Sequence, residues 1–138
     1  MPTPLTPEEA YVLVIEDDPN NLMVVTDLLR MIGIKYINAR ASGRMGIKLA
    51  ETLPQLDLIL LDIQLPYENG YTVLENIRQH PRLKDIRVIA VTSNVLPQDQ
   101  AKVRQAGFDG FIGKPLDFDR FPQQILSVLE GNAVWAAQ

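Results

Sequence analysis

The sequence contains no cysteine, a single histidine and a single tryptophan. Without cysteine there can be no disulfide, no thiolate metal ligand and no thiol nucleophile. The lone histidine, His80, precedes Pro81 at the end of a helical pattern and reads as a surface or helix-end residue, so no Ser-His-Asp arrangement and no phosphohistidine of the chain's own is expected. Lys and Arg form no run and the formal charge is −4, which removes the electrostatic footprint of direct nucleic-acid binding. The longest apolar runs, Val12 to Ile15 and Leu58 to Leu61, are far shorter than a membrane span, and Met1-Pro2-Thr3-Pro4 lacks the basic and apolar regions of a signal peptide. A cytoplasmic protein without membrane contact is expected. What is present, 138 residues that are 46% hydrophobic and 22% charged, suits one globular domain with one ordinary core.

Residues 1–10 hold three prolines and two adjacent glutamates without apolar periodicity, which predicts a loose leader before a domain over 11–130 and a tail over 131–138. The runs Tyr11 to Ile15, Asp57 to Leu61 and Arg87 to Val91 are short and almost continuously apolar, as expected of parallel strands covered on both faces. Lys35 to Ala39 and Gly110 to Gly113 read as weaker or edge strands. Helical patterns fill the gaps. Asp18 is a good N-cap before Pro19, with Leu22, Val25, Leu29 and Ile32 at helical spacing and Gly33 as a stop. Further helices are predicted from Ser42 to before Pro54, over 71–80, over 97–106 ahead of Gly107, and from a cap at Asp119 to Gly131, which leaves Pro122 in the tolerant first turn. Alternation of this kind implies a three-layer α/β sandwich with a five-stranded parallel sheet and helices on both faces. The flavodoxin-like order 2-1-3-4-5 is expected, with a crevice at the carboxyl ends of strands 1 and 3.

The residues at those ends are chemically coherent. Strand 1 ends in Glu16-Asp17-Asp18, strand 3 in Asp62, strand 4 in Thr92-Ser93 and strand 5 in Lys114-Pro115. Several carboxylates in one crevice repel each other unless a cation sits among them, and oxygen ligands of this type suit Mg²⁺ (or Mn²⁺). A carboxylate can itself be the nucleophile, as in aspartyl-phosphate chemistry. Asp62, on a central strand between the acids and Thr92 with Lys114, is the best placed. The metal would neutralise Asp62 and an incoming phosphoryl group while Lys114 and Thr92 contact the transferred oxygens.

Five segments in register, Val14-Ile15-Glu16-Asp17-Asp18, Leu60 to Pro66, Gly70, Val91-Thr92-Ser93 and Phe111 to Pro115, make the chain resemble a receiver domain of the two-component response regulators from residue 11 to about residue 130. The resemblance implies Asp62 as phosphoacceptor, Glu16 and Asp17 as the acidic pair, the backbone carbonyl of Gln64 as a further metal ligand, and a cis Lys114-Pro115 bond. Thr92 would be the switch hydroxyl and Phe111 the switch aromatic, a phenylalanine where many members have tyrosine. It also implies a phosphoryl donor that is a histidine kinase or histidine phosphotransfer protein, met at helix 1 and the loop after strand 5. The output would be a protein contact at the face of helix 4, strand 5 and helix 5, since only about eight residues follow the last helix. The chain would catalyse no reaction other than its own phosphorylation and dephosphorylation.

Blander and rival readings exist for each feature. Glu16-Asp17-Asp18 can be an acidic helix start, a role suited to Asp18, and Ser93 can cap helix 4 or not. Trp135 can anchor a partner or pack back onto helix 5. A flavodoxin-like nucleotide binder would want a glycine- and hydroxyl-rich loop in place of three acids after strand 1. An aspartyl phosphatase would want a second Asp where Gln64 stands. A receiver detached from a hybrid kinase, or a phosphate sink, has the same residues as an independent messenger.

Overall fold

Strand and helix alternate from Tyr11 onward in the computed structural model, which describes residues 4–136. The order is β1 (Tyr11–Ile15), α1 (Pro19–Met31), β2 (Tyr36–Arg40), α2 (Gly43–Ala50), β3 (Leu58–Asp62), α3 (Gly70–Gln79), β4 (Arg87–Thr92), α4 (Pro97–Ala106), β5 (Gly110–Gly113), α5 (Arg120–Leu129) and β6 (Val134–Ala136). All strand pairs are parallel, in the order β2-β1-β3-β4-β5-β6. The expected flavodoxin-like order is therefore present and is extended by one strand.

Alternation along each strand divides the apolar side chains between two cores. Val12, Val14, Leu58, Leu60, Ile89, Val91 and Ile112 meet α1 and α5 on one face, while Leu13, Ile15, Ile59, Leu61, Val88, Ala90 and Phe111 meet α2, α3 and α4 on the other. Each side chain of this size taken fully out of water contributes about 1.5–3 kcal/mol. Central β3 is buried at all five positions, whereas edge strand β2 is exposed or half-buried throughout. At that edge Tyr36 stacks flat on Tyr11, ring centroids 4.2 Å apart.

Caps fix where the helices begin. Asp18 accepts from the N–H groups of Asn20 and Asn21 at 2.8 and 3.3 Å, as predicted. At α5 the expected cap is corrected: Asp119 makes no side-chain cap bond, and Asp117 two residues earlier accepts from the N–H groups of Asp119 and Arg120. Helix α4 is preceded by Leu96, whose N–H donates to Asp99 at 3.1 Å, so Ser93 does not cap it.

Two expectations about the ends of the chain change. The leader is not loose over its described part: Pro7–Glu9 form a 3-10 helix, Leu5 N–H donates to Leu129 O at 2.9 Å, and Ala10 is fully buried. Residues 1–3 lie outside the described residues. Within the predicted tail, Val134–Ala136 join the sheet as β6, with Trp135 on the α4 side rather than on α5. Residues 137–138 are outside the described part.

Candidate functional site

The loops at the carboxyl ends of β1, β3, β4 and β5 bring the predicted residues together. Glu16, Asp62 and Thr92 are the buried polar or charged residues among the described part of the chain, each at most 5% exposed. Burying ionisable groups is costly unless they are paired. Lys114 supplies that pairing: its Nζ lies 2.6 Å from Glu16 Oε1 and 3.1 Å from Asp62 Oδ2. Burial pushes the Glu16 carboxyl up to about 7, with Asp62 adding to the rise and Lys114 and the Asp18 N–H opposing it. Burial works against the charge of Lys114, but the two carboxylates more than offset it and hold the ammonium above its ordinary range. The Lys114–Pro115 peptide bond is cis, as the resemblance implied.

Asp17 stands in solvent beside this pair, and one carboxylate oxygen from each of Glu16, Asp17 and Asp62 falls within a 4.8 Å cluster. Three hard oxygens clustered in this way, one of them on an exposed residue, fit a small divalent cation that keeps several water ligands. Two residues after Asp62, the N–H of Gln64 donates to Asp62 Oδ1 at 2.9 Å. Gln64 Oε1 meets the Ser93 N–H at 3.4 Å and the Thr92 hydroxyl at 3.5 Å, the outer limit of a hydrogen bond. The Thr92 hydroxyl also accepts from Asn94 N–H at 3.1 Å, which ties it to the loop leading into α4. Phe111, on the strand after α4, is fully buried, so its ring already lies inside the domain.

The β3–α3 loop is held by contacts that pattern reading missed. The carboxylate of Glu68 accepts from the N–H groups of Gly43 and Arg44 at the start of α2, the second at 3.2 Å. Gly70 N–H donates to Ile63 O at 3.1 Å, and a Cβ at Gly70 would lie 2.6 Å from Ile63 Cα. That approach is between backbones, so only glycine fits. Glu68 and the helix start it binds are more than 20 residues apart, so no local pattern joins them.

His80 is at the end of α3, at the far end of that helix from the Glu16, Asp17 and Asp62 cluster, as read from the sequence. Its Nε2 is 3.6 Å from Glu51 Oε1 and its Nδ1 accepts from Arg82 N–H. Next to Lys114, an apolar groove of about 270 Å³ runs between α1 and the β5–α5 loop, lined by Val24, Val25, Pro115, Leu116 and Phe118. Among the described residues no helix is long and apolar enough to cross a membrane.

A parallel α/β sheet whose strand ends gather three acids, a threonine and a lysine defines a class of signalling domains, and comparison with known proteins agrees. Residues 12–126 match the response regulator receiver domain family, and the chain belongs to it. The polar-differentiation response regulator DivK of Brucella ovis is 38% identical over 119 residues, 86% of this chain and 94% of that protein. Among solved structures, the receiver domain of sensor histidine kinase PA1611 from Pseudomonas aeruginosa PAO1, with a magnesium ion coordinated in its active site cleft, is 31% identical with a TM-score of 0.77. The match covers 89% of this chain and 98% of that one. Chemotaxis protein CheY4 of Vibrio cholerae shares the fold, with a TM-score of 0.75 at 22% identity over 88% of this chain and 97% of its own.

Proposed function

We propose that the chain is a cytoplasmic, single-domain response regulator that accepts a phosphoryl group on Asp62 from a histidine kinase or histidine phosphotransfer protein. The observation that carries this reading is the Glu16–Lys114–Asp62 triad: one ammonium bridges two carboxylates that are at most 5% exposed, with Asp17 beside them in water. A carboxylate oxygen of Asp62 attacks phosphorus; the new O–P bond forms as the N–P bond of the donor's phosphohistidine breaks, and the leaving imidazole nitrogen takes up a proton. Glu16, Asp17, Asp62 and the Gln64 carbonyl would hold Mg²⁺ (or Mn²⁺), which would supply charge neutralisation between the two anions. Lys114 exchanges part of its hold on Asp62 for a phosphoryl oxygen, and the Gln64 N–H keeps the aspartate oriented.

The donor docks at α1 and the β5–α5 loop, a reading supported by the apolar groove beside Lys114. Hydrolysis of the acyl phosphate returns the free aspartate, and the chain turns over no other substrate. The new charge draws the Thr92 hydroxyl from its long contact with Gln64 toward a phosphoryl oxygen, and Asn94 and the start of α4 follow. With Phe111 already inside, the change read by a downstream protein falls on α4 and the loop before it.

Intact-mass analysis after incubation with acetyl phosphate tests the proposal. A gain of one phosphoryl group is expected in the wild type with Mg²⁺, with none in EDTA and none in Asp62→Asn. No gain with any donor would overturn it. A receiver working inside a hybrid kinase is the second reading, favoured by the likeness to the PA1611 receiver.

A further inference from the structure

An extended segment already sits on the β5 edge, and it shows what that edge recognises. Without β6, β5 would bound the described sheet and present unpaired N–H and C=O groups to any extended chain. β6 fills the edge in parallel register, Val134 opposite Gly110, Trp135 opposite Phe111 and Ala136 opposite Ile112. The edge is shaped for close approach. A Cβ at Gly110 would lie 2.7 Å from Val134 O and 2.6 Å from Ile89 Cδ1, so a side chain there would push the added backbone away. It also carries a side-chain determinant: the guanidinium of Arg104 on the exposed side of α4 lies 4.2 Å from the centroid of the Trp135 ring. Arg over Trp is among the strongest cation–π pairings.

The hold on this segment is slight. Among the described residues three pair, and they are reached through Gly131, Asn132 and Ala133, the last two exposed. Val134 and Trp135 are half-buried, whereas every residue of β5 is buried. α4, which carries Arg104, buries only Val103. Opening β6 would uncover only Val134 and Trp135, each half-buried against its core, and a short stretch of pairing, a local opening below the global barrier.

We propose that the β5 edge with Arg104 is a strand-addition site for a protein partner that offers an extended segment with an aromatic residue opposite Phe111, and that β6 is the tethered occupant this partner displaces. Backbone pairing supplies affinity, Gly110 admits the incoming backbone, and Arg104 selects the aromatic side chain. A short tether gives β6 an effective concentration in the millimolar range, so a partner must compete with it. The site works without phosphorylation of Asp62; its test needs no phosphodonor, and its failure would leave the phosphoacceptor reading standing.

Trp135 is the only tryptophan, which makes the test direct. A fluorescein-labelled peptide with the sequence of residues 131–138 is titrated against folded Trp135→Ala protein and against wild type, with binding read by anisotropy. The expected result is saturable binding to Trp135→Ala, at least tenfold weaker binding to wild type, and at least fivefold loss when the peptide tryptophan is replaced by alanine. Absence of binding to folded Trp135→Ala overturns the proposal. If Trp135→Ala fails to fold, Arg104→Gln replaces it: at least tenfold faster hydrogen exchange of the β6 amides is expected, and exchange unchanged from wild type makes β6 a permanent strand. A wild-type dimer by light scattering that becomes monomeric in Arg104→Gln would assign the edge to a second copy and overturn the assignment to a different partner.

Discussion

Helices α1 and α4 flank the same cleft and are built in opposite ways. α1 runs for 13 residues, is capped by two bonds to Asp18 and buries Val25, Leu28 and Leu29. α4 runs for 10, has a leucine where a capping side chain would be, and buries Val103 alone. The first follows Glu16 and Asp17, whose oxygens would have to hold their places to bind the proposed cation. The second follows Thr92, whose hydroxyl bonds Asn94 in the loop that the proposed switch would move. Packing is invested on the side where position matters and withheld where displacement does.

Substitutions can break or sharpen that contrast. Lys114→Met should have the largest effect, since it leaves Glu16 and Asp62 without their shared cation: phosphoryl uptake from acetyl phosphate, followed by intact mass, should slow about 100-fold or more. On the fixed side, Leu29→Ala opens a hole under a fully buried residue and should cost about 3 kcal/mol of global stability in a urea melt. Asp18→Ala should cost about 1 kcal/mol in the same measurement, the usual loss for an N-cap. On the mobile side, Asp99→Ala removes the acceptor for Leu96 N–H and should cost about 0.5 kcal/mol or less, while hydrogen exchange at the start of α4 rises. Equal losses for Asp18→Ala and Asp99→Ala would remove the contrast.

Much of this was readable beforehand, for reasons that differ by residue. β1, β3 and β4 announce themselves as continuous apolar runs because parallel strands are covered on both faces. Asp62 and Thr92 are visible because each is the polar residue at the end of such a strand, and Lys114 because it follows the weaker β5 directly before a proline. β6 escaped notice because three residues carry no period, and pairing with β5 is a tertiary fact. Asp117 and Asp119 are both plausible caps by residue type, and only the backbone turn decides between them. Glu68 acts on N–H groups about 25 residues away in sequence, a distance at which local patterns say nothing.

The β3–α3 loop joins two kinds of position within four residues. Gly70 is locked by its contact with Ile63, while Tyr67 is 98% exposed. An inherited change at Gly70 would disturb the loop that follows Asp62, the proposed phosphoacceptor, yet one at Tyr67 would alter only the outline presented to solvent. Duplicated copies of such a gene can therefore drift at Tyr67 while the backbone behind Asp62 is kept intact from one generation to the next.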